Sequence, residues 1–149
     1  MRAAAPARAP AIHGVDFTSV PRRAKPITIA NARMRGDALH LDSIDAIDDF
    51  PRFEAWLGRA GPWVAGFDFP FGLPRKALRE LAWPQTLPEL TRHCTALGRD
   101  AFRAALDQHR AGRPVGAKFC YRRGDAAARA HSPLKLVNPP VALMFLEGA

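Results

Sequence analysis

The sequence predicts an α/β fold on a mixed sheet: a three-stranded antiparallel meander, a helix, a parallel fourth strand, and added helices after it. Three observations predict it. Two apolar runs, Ile12-His13-Gly14-Val15-Asp16-Phe17 and Trp63-Val64-Ala65-Gly66-Phe67-Asp68, each carry an aspartate at or near their end. Between them a stretch of period-two alternation folds back on itself around a glycine. A short segment with apolar residues at helical spacing then separates the alternation from the second run.

Taken in order, the first run reads as a strand that delivers Asp16 near its end, with Thr18 to Arg23 as the following turn or loop. Residues 26–34 alternate, Arg35-Gly36-Asp37 makes a tight turn, and residues 38–42 alternate again, which together describe a hairpin. Asp49 is placed to cap a helix whose inward residues are Phe53, Trp56 and Leu57, and Gly58 and Gly61-Pro62 end it. The run from Trp63 to Asp68 is almost wholly apolar, the pattern of a central strand covered on both faces. Pro70 and Pro74 prevent its continuation. A short helix follows Pro74 to about Trp83. A longer one runs from Pro88 towards Arg110 with Leu90, Cys94, Leu97, Phe102, Ala105 and Leu106 on its apolar side. After Gly112 the chain reads as loops around one weak helix.

A helical crossover returns the next strand parallel to one already in the sheet. If the fourth strand lies beside the first, Asp16 and Asp68 emerge at the same edge. Two carboxylates so placed repel one another unless a cation or proton lies between them, which suits hard, oxygen-seeking Mg²⁺ or Mn²⁺. Asp at a strand end is also ordinary turn chemistry, and both aspartates precede loops.

At 149 residues, 48% of them apolar, the chain fits one globular domain, here taken as residues 12–149, with the Ala-, Arg- and Pro-rich residues 1–11 as a disordered lead-in. The net charge of +8 comes from 22 basic residues, of which 18 are Arg and 4 are Lys. With 14 Pro and abundant Ala, that bias is what GC-rich coding produces, and the arginines are scattered rather than clustered. The charge therefore describes a solvated surface before it describes a nucleic-acid face. Cys94 and Cys120 are far apart without a CxxC, and His93 has no companion at zinc spacing, so the spacing argues against a structural zinc. Reduced thiols, no apolar leader and no run of roughly 18 apolar residues point to a cytoplasmic protein outside the membrane.

Three segments carry a family resemblance: residues 14–19 (Gly-Val-Asp-Phe-Thr-Ser), residues 66–74 (Gly-Phe-Asp-Phe-Pro-Phe-Gly-Leu-Pro), and Arg123-Gly124-Asp125 with residues 131–135 (His-Ser-Pro-Leu-Lys). Together they resemble the predicted nucleases of the ribonuclease-H fold grouped as domain of unknown function 429, over roughly residues 12 to 148. The second motif is the most specific. The resemblance implies a metal-dependent nuclease acting on nucleic acid or nucleotide, with Asp16 and Asp68 as catalytic metal ligands. Members continue past a segment like Val141 to Gly148 with a further strand and helix that bring another acidic ligand. Here the sequence stops at Ala149, which implies a truncated chain, or Asp125 or Glu147 in the ligand's place.

Beside the carboxylates, Thr18 and Ser19 offer hydroxyls for a phosphate, as Lys118, Arg123 and Lys135 offer charge. A hairpin turn accounts for the first pair without a ligand, and solvent-facing loop charge for the second set. Arg123 and Asp125 equally suit an internal ion pair. The alternatives to cleavage are nucleotide or phosphate binding on the same fold, or an inactive remnant.

Overall fold

The computed structural model describes residues 9–148, and the chain divides between Asp68 and Phe69 into two compact units. Most of the expected lead-in, residues 1–8, lies outside the described residues.

The first unit contains β1 (Ala11–Asp16), β2 (Ile27–Arg35), β3 (Ala38–Ile47), α1 (Phe50–Leu57) and β4 (Trp63–Phe67). They form one mixed sheet in the order β3-β2-β1-β4, with β1 antiparallel to β2 and parallel to β4. The strand rich in apolar residues, β4, is an edge strand rather than a central one, and Val64 is exposed. Its apolar pattern comes instead from one covered face plus glycine and valine on the other.

Arg35 still pairs with Ala38, so the hairpin turn is the two residues Gly36-Asp37, with Gly36 at φ 63° where only glycine is comfortable. β3 runs five residues beyond the expected Asp42. A bulge makes this possible: Asn31 pairs with Ser43 and Ala32 with Leu41, leaving Asp42 extra. The Asn31 amide donates to Ser43 Oγ at 3.0 Å and Asp45 Oδ2 at 2.9 Å, and its Oδ1 meets His13 Nδ1 at 2.9 Å. That polar rung ties three strands together.

Helix α1 starts where Asp49 Oδ1 accepts the Arg52 amide at 2.7 Å, with Pro51 in the first turn, where its missing N–H costs nothing. It buries Phe53 and Trp56 against one face of the sheet. Phe53 meets Phe17 at 5.7 Å and Phe67 at 6.5 Å, and Trp56 meets His13 at 5.1 Å and Trp63 at 5.7 Å between ring centroids. Leu57, expected inward, is exposed, because the two aromatics already fill the contact.

In the second unit, α2 (Arg75–Glu80), α3 (Leu87–Ala111), α4 (Arg123–Ala127) and α5 (Val141–Gly148) enclose a separate core of Leu78, Leu90, Cys94, Phe102, Leu106 and Phe145. α2 ends three residues short of the expected Trp83, and Ala82 adopts a positive φ of 53°. α3 is kinked at Gly98, where φ 73° and ψ 168° break the helix. The kink shows in the sequence as a slip in spacing: Leu90, Cys94 and Leu97 are four and three apart, but the next buried residue, Phe102, is five on. Helix α5 was not anticipated. Its Ala142, Leu143, Met144 and Phe145 are buried, and Ala142, Leu143 and Phe145 belong to this core.

The aromatic layer predicts unequal costs along α1. Phe53→Ala and Trp56→Ala should each lower unfolding free energy in urea by about 3–5 kcal/mol, whereas Leu57→Ala should cost less than about 1 kcal/mol.

Candidate functional site

Strand alternation decides where the two aspartates point. On β1, His13 and Phe17 reach α1, so Gly14 and Asp16 face the other way; on β4, Trp63 and Phe67 reach α1, so Gly66 and Asp68 face the other way. The parallel register pairs Gly14 with Gly66 and Val15 with Phe67, and the Asp68 amide donates to the Val15 carbonyl at 2.9 Å. Asp16 and Asp68 are therefore consecutive in the same register, on the sheet face opposite α1, on strands about 4.8 Å apart. Both are exposed. This is the juxtaposition the sequence order implied.

The surface around them is shaped by absent side chains. Gly14 and Gly66 precede the aspartates by two residues on the same face, and a Cβ at Gly66 would meet nothing within 4 Å. Thr28 on β2 pairs directly with Asp16 and shares that face, a neighbour that no sequence motif singles out. A concavity of about 580 Å³ lined by His13, Asn31, Arg59 and Trp63 lies at the opposite strand ends, and there the one carboxylate, Asp42, is held by Arg33 at 2.7 Å.

The other residues singled out in the sequence sit differently. Thr18 and Ser19 are buried rather than displayed in a turn, and the tight turn comes later, where Arg22 and Lys25 bridge. Asp125, Glu147, Lys118, Arg123 and Lys135 belong to the second unit. Asp125 is buried, and its partner is Arg122, not Arg123: the Arg122 amide donates to Oδ2 at 2.7 Å and its guanidinium to Oδ1 at 2.7 Å. That guanidinium, and then the amide, hold the Asp125 carboxyl below its ordinary value of 3.8 against the opposing pull of burial. Glu147 pairs with Arg99. Lys118 and Arg123 are exposed, and Lys135 Nζ approaches His131 Nδ1 at 3.4 Å. Ser132 is buried and donates to the Cys120 carbonyl at 2.6 Å, a structural tie rather than a nucleophile.

Burial pushes the Cys94 thiol up to about 11, so it stays protonated at neutral pH, and burial raises that of Cys120 as well.

No family model, curated protein or solved structure matches the chain. No helix among the described residues is long and apolar enough to cross a membrane.

The Arg122–Asp125 pair gives a pH-dependent contribution of defined sign. Because the folded carboxyl titrates below its unfolded value, the stabilisation is present in full above that value and is lost as pH falls through the folded one. The melting-temperature gap between the natural chain and Asp125→Asn should therefore be widest near neutral pH and close below about pH 4.

Proposed function

We propose that the chain is a divalent-metal-dependent phosphodiesterase of ribonuclease-H-like architecture that acts on nucleic acid, with Asp16 and Asp68 as the metal ligands. The observation that carries this reading is the parallel β1–β4 register, which brings two exposed carboxylates to adjacent strand ends on the open sheet face.

The donor set fits Mg²⁺ or Mn²⁺. Both side chains are hard oxygen donors, no sulfur or imidazole stands beside them in the register, and the glycines before them leave room for water and a phosphate. When bound, such an ion polarises phosphoryl oxygens and lowers the pKa of its water. The chain's own part is positional. The β1–β4 ladder fixes the spacing of the two strand ends, and the aromatic layer beneath fixes the strands that carry the carboxylates. Thr28, beside Asp16, is placed to donate to a carboxylate or a phosphate oxygen from β2. Like charges on neighbouring strands weaken the sheet edge, and a bound cation relieves that cost.

The reading also limits which acidic residues take part. Asp125 is committed to Arg122 and Glu147 to Arg99, so a further ligand is water or substrate phosphate before it is either of these. Mg²⁺ commonly binds through one or two carboxylates with waters and phosphate completing its shell.

Cleavage of labelled single- and double-stranded DNA and RNA with Mn²⁺ tests the proposal. The natural chain should cleave at least one substrate, and Asp16→Asn and Asp68→Asn should each lower the rate by more than about a hundredfold. The double variant should fall little further, because ligands of one site act as a unit. Equal residual cleavage in all three would remove the assignment, and nucleotide binding that persists in chelator without cleavage would favour a phosphate-binding protein.

A further inference from the structure

Three residues far apart in the sequence converge in the second unit: Glu80 at the end of α2, His109 near the end of α3, and Cys120 in the following loop. Their ligating atoms all lie within 4.8 Å of one another. We propose that Glu80, His109 and Cys120 form a binding site for a borderline-soft divalent cation, Zn²⁺ by preference, separate from the paired aspartates.

The donor chemistry selects the ion. A thiol, an imidazole and one carboxylate match zinc, whereas Mg²⁺ and Mn²⁺ take oxygen donors. Three protein ligands leave the fourth tetrahedral position to water. The His109 side chain is 8% exposed and Cys120 is 5% exposed, while Glu80 reaches solvent, so an ion has an entry side and a dry interior side.

His109 Nε2 lies 2.7 Å from Glu80 Oε2, a separation now bridged by a proton. A bound ion would take that proton's place, releasing it to solvent, and the two donors would part to admit it. Arg113 supplies the supporting contact expected of a ligating carboxylate: its Nη1 donates to Glu80 Oε2 at 2.5 Å, and its Nε to the Ala117 carbonyl at 2.6 Å. Among the described residues Glu80 Oε1 has only Lys76 Nζ, at 3.9 Å. On binding, the ion would displace the Cys120 thiol proton to solvent, and the thiolate formed would add negative charge beside the Glu80 carboxylate.

The three residues stand at positions 80, 109 and 120, a spacing that matches no zinc pattern, so the site leaves no mark in the sequence. An ion here would tie the end of α2 to the end of α3 and to the loop beyond it. It would bind the folded chain and not the unfolded one, and so raise its melting temperature.

Titration of the full chain with Co²⁺ tests the site without requiring any enzymatic activity. One equivalent should produce a sulfur-to-cobalt charge-transfer band that Zn²⁺ displaces. The band should disappear in Cys120→Ser and persist in Cys94→Ser. Glu80→Gln, at an exposed position that leaves the core intact, should keep the band and weaken binding by about tenfold or more. Zn²⁺ should raise the melting temperature of the natural chain and of Asp16→Asn alike, which separates this site from the aspartate pair. Absence of the band, its loss in Cys94→Ser instead of Cys120→Ser, or unchanged affinity in Glu80→Gln would overturn the proposal.

Discussion

The parallel pairing of β1 with β4 is the constraint on which the candidate chemistry depends. A ladder in which Val15 aligns with Phe67 does two things at once: it places Asp16 and Asp68 at adjacent strand ends, and it sends both to the same face. Register in a sheet with one covered face is strongly determined, because a slip of one residue would turn every side chain over. Such a slip on β4 would drive Asp68 beneath α1 and bring Val64 and Gly66 where Trp63 and Phe67 now pack. The cost of burying a carboxylate and exposing two aromatics therefore protects the geometry of the pair.

The acidic residues of the chain divide by what satisfies them. Asp125 and Glu147 each face an arginine, so these two carboxylates are neutralised by the protein itself. Asp16 and Asp68 have no ion pair among the described residues. Carboxylates aligned by the backbone and left open to solvent are where an external cation gains most, since no internal cation must be displaced. At the Glu80 cluster an imidazole and a thiol join the carboxylate, a donor set that suits a borderline-soft ion rather than a hard one.

Much of the first unit was legible because short-range patterns dominate it. Period-two alternation with a glycine turn gave the hairpin, the Asp49 cap and the Phe53 and Trp56 spacing gave α1, and the helical crossover gave a parallel β4. The length of β3 was hidden by a bulge, since the extra residue at Asp42 disturbs the alternation that would have extended the strand. The edge position of β4 was hidden because glycine and valine on its open face look as apolar as a covered strand. In the second unit the helix break at Gly98 left only a one-residue slip in spacing, and the α5 segment has no polar face to show a helical period. Site residues followed the same division. Asp16 and Asp68 were legible because each closes a strand, whereas the partner of Asp125 and the meeting of Glu80, His109 and Cys120 depend on how helices and loops converge.

The alignment of the two aspartates around one cation is tested most directly by adding substoichiometric Mn²⁺ to isotopically labelled protein and following paramagnetic broadening of its amide resonances. The amides of Asp16, Phe17, Phe67 and Asp68 should broaden first and together, those of Ile12 and Val64 at the far ends of the same strands should persist, and either Asp16→Asn or Asp68→Asn should abolish the selective effect. Broadening spread evenly over exposed carboxylates such as Asp37 and Glu54, or unchanged in both variants, would contradict a site built on the β1–β4 register.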